Sequence, residues 1–315
     1  MKNIRLWVVI LSGIYVLICL GAYYGQVHLT FAVTKISSES KIQLLSKYDG
    51  RLKEIQWVNS AQDTLWGFSL LKENLKAINL SEDQLKQEWN NYSQDEAIVG
   101  PNLGSSRYSE RYSGRKILLY FGGNADDVWE AIQLVDLPDY DVYSINYPGF
   151  GRSMGVPLES TIISNAQGFY NSLEIPVNTP VLIVGRSLGT GVAVQLSQWI
   201  LSNKLKDVKL LETFLITPYN SLWKIGKHRY PYLPVKALIT SPFESENYLS
   251  ELKNKVSVVY AESDQIVPHH YTDSLVVKLQ SRNLPQSLDI DTIFGFNHNS
   301  ILQSPGLNAL LHATH

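Results

Sequence analysis

The chain has 315 residues, with 27 Lys and Arg against 29 Asp and Glu, and a formal net charge of −2. That balance excludes the basic profile of a nucleic-acid-binding protein, so no nucleic-acid partner is expected. An apolar fraction of 44% with 18% charged residues excludes a disordered chain, and the single cysteine, Cys19, excludes both a disulfide framework and a cysteine zinc site.

The first element is apolar. Leu6 to Gly25 contains no charged residue, and the uncharged run continues to Thr34. Twenty helical residues span roughly 30 Å, one hydrocarbon thickness, so residues 1–34 read as a membrane anchor with its transmembrane part at about 6–25. The run is longer than a signal-peptide core, and Leu20-Gly21-Ala22 is a poor cleavage site. Lys2 and Arg5 precede it and the next charge is Lys35. The positive-inside rule therefore places the N-terminus in the cytoplasm and the rest of the chain on the extracytoplasmic side, with the lipid bilayer as a partner. Trp7, Tyr23 and Tyr24 suit the interfacial belts.

Two β-prone runs follow, at 54–59 and 65–71, separated by Ser60-Ala-Gln-Asp-Thr in the pattern of an antiparallel hairpin. Residues 72–113 are polar and read as an insertion, with a capping-box pattern at Ser81 starting a helix to about Tyr92. From Arg115 the texture changes. Apolar runs at 116–121, 141–147, 180–185, 213–217, 256–261 and 287–294 alternate with helical patterns such as 158–173, 188–202 and 269–281. This is the signature of an α/β fold, a mostly parallel sheet with helices on both faces, over residues 50–315. The block 218–252, with Trp223 and three prolines, interrupts the alternation and reads as a lid-like excursion.

Gly-x-Ser-x-Gly, the nucleophile-elbow pattern, occurs twice: at Gly151-Arg-Ser153-Met-Gly155 and at Gly185-Arg-Ser187-Leu-Gly189. The chemistry needs a strand running into the turn and a helix leaving it. Only Ser187 has both, with Val181-Leu-Ile-Val184 before it and Gly189-Thr-Gly-Val-Ala-Val after it. Ser153 follows Tyr147-Pro-Gly-Phe-Gly and reads as a turn serine.

A serine hydroxyl needs a base, and the base needs a carboxylate to orient it, in the chain order Ser, Asp or Glu, His. His28 and His228 precede any suitable acid, His269 and His270 stand too close to Asp264, and His312 and His315 lie at the terminus. Asp264, just beyond the strand 256–261, and His298, in the loop after the last strand, are the expected partners. The oxyanion requires two backbone donors, one from Leu188 and one from the loop Phe121-Gly-Gly-Asn-Ala, where Asn124 is the first candidate and Gly123 the alternative.

Taken together, Phe121-Gly-Gly-Asn-Ala, Asn146-Tyr-Pro-Gly-Phe-Gly-Arg-Ser, Gly185-Arg-Ser-Leu-Gly, Ser263-Asp-Gln-Ile-Val-Pro and Gly295-Phe-Asn-His298 resemble the α/β-hydrolase family of serine hydrolases. The Gly-Asn-Ala and Tyr-Pro-Gly-Phe-Gly elements look most like its membrane-anchored abhydrolase-domain branch, which includes acyl-protein thioesterases. The resemblance implies hydrolysis of an ester or thioester through an acyl-enzyme, without metal or organic cofactor. One departure stands out: that branch has His-Gly-Asn-Ala-Gly, whereas here Gly122 replaces the histidine and Asp126 the final glycine. The expected function is a membrane-anchored serine hydrolase acting on a small or amphiphilic acyl substrate. An acyl-protein thioesterase or a peptidase on the same triad, and a membrane-tethered binding domain without catalysis, are the rival readings.

Overall fold

The computed structural model describes residues 2–32, 36–48, 50–72, 98–99, 115–203, 208–249, 252–281 and 287–313. The uncharged N-terminal run forms one helix, α1 (Lys2–Thr30), which continues a full turn past Gly25. Its residues from Ile4 to Ile18 are exposed, and from Cys19 onward one side packs on the rest of the protein. Phe31 is buried against Phe150, and a short helix α2 (Ser38–Lys47), capped by the Ser37 hydroxyl, lays Leu44 and Leu45 on the core. Packing on the sheet therefore begins well before residue 50.

Strands β1 (Leu52–Val58) and β2 (Thr64–Leu70) form the expected antiparallel hairpin. The insertion 72–113 and the helix expected from Ser81 fall outside the described residues, apart from Lys72 and the two-residue strand β3 (Ile98–Val99), which pairs parallel with β1. The following strands are β4 (Lys116–Phe121), β5 (Tyr140–Ile145), β6 (Pro180–Arg186), β7 (Lys209–Ile216), β8 (Lys255–Ala261) and β9 (Leu288–Ile293). They complete a sheet of order β3-β1-β2-β5-β4-β6-β7-β8-β9, parallel from β5 to β9 and antiparallel at β1–β2 and β2–β5.

The continuous apolar runs of the inner strands follow from burial on both faces. Along β6, Val181 and Ile183 point to one side, under α4 (Glu159–Ser172), α5 (Leu188–Ser202) and α8 (His269–Gln280). Leu182 and Val184 point to the other, under α2, α3 (Ile132–Val135) and α9 (Pro305–Ala313). Between β7 and β8 the chain makes an excursion from the sheet through α6 (Leu222–Arg229) and α7 (Val235–Leu238). Because β4 to β9 run parallel, the loops after β4, β6, β8 and β9 all emerge at one carboxyl edge, the usual site of chemistry in such sheets.

Candidate active site

At that edge Ser187 stands between β6 and α5 with φ +48° and ψ −115°, a backbone region that a serine occupies only under constraint. The constraint is local: its N–H donates to the Ile216 carbonyl of the neighbouring strand at 2.9 Å, while α5 starts at the next residue. The flanking glycines are required by close approach. A Cβ on Gly185 would lie 2.4 Å from the Gly189 carbonyl oxygen, and one on Gly189 would lie 2.1 Å from that of Phe121.

Asp264 and His298 arrive from the loops after β8 and β9. His298 Nε2 lies 2.8 Å from Ser187 Oγ, and Nδ1 lies 2.8 Å from Asp264 Oδ2. The second carboxylate oxygen accepts the backbone N–H groups of Ile266 and Val267 at 2.9 and 2.8 Å, so the acid cannot rotate away. Both side chains are almost wholly buried. With its proton on Nδ1, the imidazole donates to Asp264 and presents a lone pair to the serine hydroxyl. The structure thus brings together Ser187, Asp264 and His298. Ser153 stays apart: its hydroxyl accepts from Trp66 N–H and donates to the Asn146 carbonyl, bonds that stitch a turn. His269 is occupied with the Ala261 carbonyl.

The loop after β4 narrows the choice of oxyanion donors. Gly123 N–H donates to Asp126 Oδ2 at 2.6 Å, which removes Gly123 from the candidates and leaves Asn124 beside Leu188. Leu188, as the first residue of α5, has an N–H without an intrahelical acceptor. Asn124 has a further part that the sequence did not disclose: its side chain donates to the Thr30 carbonyl and accepts from Ala32 N–H, tying the loop to the end of α1.

Two more residues, Arg186 and Asp126, act through the site. Arg186 forms a buried ion pair with Asp126 through Nη1, and its Nη2 donates to the His298 carbonyl at 2.7 Å. One guanidinium thereby joins the oxyanion loop, the nucleophile strand and the base loop. Burial disfavours its charge, but Asp126 and neighbouring groups more than offset this and hold its pKa above the ordinary value. Asp126, which stands where the resembling branch has a glycine, is the partner of Arg186 and the acceptor for Gly123. The signal was present in the sequence as that departure, but its meaning required the third dimension. The Asn146-Tyr147 motif has a similar role: Tyr147 OH donates to the Gly122 carbonyl, and Asn146 binds both Val128 N–H and Asp127.

A cavity of about 670 Å³ opens over Ser187, Leu188 and Asn124. One wall is the excursion between β7 and β8, with Leu222, Ile225 and Leu238; another is the end of α1, with Gln26 and Leu29. His228 and Arg229 line it as well. The return of the excursion is pinned by Glu159, whose carboxylate accepts from Phe243 N–H and the Gln195 amide at 2.8 Å each.

Burial pushes the Glu159 carboxyl above its ordinary value of 4.5, against the lowering effect of those two donors. A raised carboxyl binds its proton more tightly in the folded state, so stability falls as pH rises from the unfolded value through the folded one. Glu159→Gln keeps an acceptor for Phe243 and has nothing to titrate. Its melting temperature should fall less than that of the wild type as pH rises from 4.5, and parallel curves would show that Glu159 is not the source.

The elbow, the strand order and the loop placement set the class. The chain has the α/β-hydrolase fold, and at its carboxyl edge Ser187, His298 and Asp264 stand in a hydrogen-bonded line. No family model matches the chain. Among curated proteins it is similar to the lysophosphatidylserine lipase ABHD12 of Danio rerio, 27% identical over 224 residues that make up 63% of this chain and 58% of that protein. It is also similar to protein ABHD12B of Homo sapiens, 26% identical over 216 residues, 62% of this chain and 59% of that protein. The match thus spans less than three-fifths of either relative's length. Among solved structures, an α/β hydrolase from Vibrio vulnificus superposes with a TM-score of 0.62 at 16% identity, covering 94% of this chain and 91% of that one. The esterase Pf2001 of Pyrococcus furiosus gives 0.58 at 11% identity, covering 90% and 94%.

Proposed function

We propose that the protein is a membrane-anchored serine hydrolase that cleaves the ester of a single-chain lipid amphiphile through an acyl-enzyme on Ser187. The observation that carries this reading is the continuous hydrogen-bonded line from Ser187 Oγ through the His298 ring to Asp264, at 2.8 Å on each side of the imidazole.

In this mechanism Ser187 Oγ attacks the acyl carbonyl while His298 Nε2 takes the hydroxyl proton. Asp264 keeps the ring oriented and stabilises the imidazolium that forms. Charge developing on the carbonyl oxygen is met by the Leu188 and Asn124 N–H groups, already in place at the N-terminus of α5 and in the braced loop. The tetrahedral intermediate collapses as His298 gives its proton to the leaving alcohol, and the same base activates the water that releases the acid.

The substrate class rests on the cavity. Its volume of about 670 Å³ and its largely apolar lining suit one acyl chain, and Arg229 supplies a cationic group, with His228 as a further polar partner, that favours an anionic head. The name of the Danio rerio relative, a lysophosphatidylserine lipase, describes a substrate of that type. The apolar helix α1 is the candidate span, with Lys2 and Arg5 placing its N-terminus in the cytoplasm.

A panel of monoacyl esters of increasing chain length, with acyl thioesters and an aminopeptidase substrate alongside, tests the reading. Each buried methylene contributes about 0.8 kcal/mol, so kcat/KM should rise by up to roughly tenfold per two methylenes until the cavity is full. Indifference to chain length, or a preference for the peptide, would overturn it.

A further inference from the structure

The reading of α1 as a membrane span, on which this inference rests, has a geometric consequence for the segment between α6 and α7. A hydrocarbon core of roughly 30 Å takes about 20 helical residues, which from Ile4 reach the aromatic pair Tyr23 and Tyr24. Tyr15 lies eight residues before Tyr23, about 12 Å deeper along the axis. Yet its hydroxyl donates to the Tyr232 carbonyl at 2.9 Å. Were Tyr232 outside the hydrocarbon, only Ile4 to about Ile14 would remain inside it, roughly half the length a span requires.

The same segment meets α1 again nearer its end, where Gln26 accepts from Thr240 N–H and donates to the Leu238 carbonyl. Between these two contacts it follows α1 downward over about 16 Å. We propose that Tyr230-Pro-Tyr-Leu-Pro234 is a second membrane element, immersed beside α1 in the leaflet nearer the catalytic site, and that the bilayer is the partner covering it.

Three observations support this. Tyr232 is 87% exposed, the highest value among the described large apolar and aromatic side chains, and the face of α1 beside it is exposed as well. The irregular backbone is almost fully paired, as non-helical chain at that depth requires: every carbonyl of the segment and the N–H groups of Tyr230 and Leu233 have a partner, and the Tyr232 N–H alone is left open. The Tyr230 carbonyl accepts from Leu233 N–H, those of Pro231 and Leu233 from Lys227 Nζ, that of Tyr232 from Tyr15 and that of Pro234 from Ala237 N–H. Pro231 and Pro234 have no N–H to satisfy. Finally, Arg229 and Lys236 flank the segment, where long cationic side chains extend to the headgroup level. Tyr230 and Leu233 also line the cavity, so immersion sets one of its walls among the acyl chains. A lipid tail then passes to Ser187 without crossing water.

The test uses the full chain with Cys19→Ala, reconstituted in phosphatidylcholine vesicles, and one cysteine introduced at a time to carry an environment-sensitive fluorophore. Tyr232→Cys probes the segment, Leu11→Cys the exposed face of α1, and Val177→Cys an exposed loop at the opposite edge of the sheet. The probes at 232 and 11 should be blue-shifted and quenched by nitroxide on the lipid acyl chain, and the probe at 177 by aqueous iodide alone. If the probe at 232 behaves like that at 177 while the probe at 11 is quenched by lipid, the immersed segment is refuted and the span stands. If the probe at 11 is also in water, the span and the inference fall together.

Discussion

Ser187→Ala should abolish labelling by a fluorophosphonate probe and lower kcat by on the order of 10⁴-fold or more, because the residual rate would come from binding and the oxyanion donors alone. Ser153→Ala, in the other Gly-x-Ser-x-Gly match, should leave labelling intact and show only a modest loss of stability. The Ser153 hydroxyl bonds to Trp66 N–H and the Asn146 carbonyl and to no histidine or carboxylate, so its removal costs about one or two hydrogen bonds of roughly 1 kcal/mol each. Labelling that persists in Ser187→Ala would refute the assignment of the nucleophile. Asp264→Asn should keep labelling but slow it severely, since the amide would favour the wrong tautomer of His298.

Arg186→Gln is the second large effect. It removes the cation from a buried pair and leaves Asp126 without a counter-charge, which costs about 3–5 kcal/mol. For a chain of this size that lowers Tm by on the order of 10 °C. Turnover should fall as well, because the His298 carbonyl loses its donor and the loop carrying Asn124 loses its brace. Arg186→Lys separates the two contributions. An ammonium restores charge next to Asp126 but cannot bridge to the His298 carbonyl in the same geometry, so stability should recover further than kcat. Wild-type stability in Arg186→Gln would refute the bracing role.

Much of this was legible in the chain because the signals are local. The apolar runs and the Gly-x-Ser-x-Gly context depend on neighbours within a dozen residues, so the helices 158–173, 188–202 and 269–281 emerge within a residue or two of their expected bounds. The extent of α1 was less legible. Nothing between Gly25 and Thr34 is charged, and only the packing of Gln26 and Phe31 on the globular part shows where the free helix ends.

By itself the sequence determined the alternation of strands and helices, the elbow at Ser187 and the chain order Ser, Asp, His, since each is written in adjacent residues or in order along the chain. The tertiary structure decided which backbone N–H of the oxyanion loop remains available, because Asp126 engages Gly123 only once Arg186 is buried beside it. It also decided that the end of α1 walls the cavity over Ser187. Both outcomes depend on groups 60 to more than 150 positions apart, and contacts at that range exist only when the sheet has brought its loops to one edge.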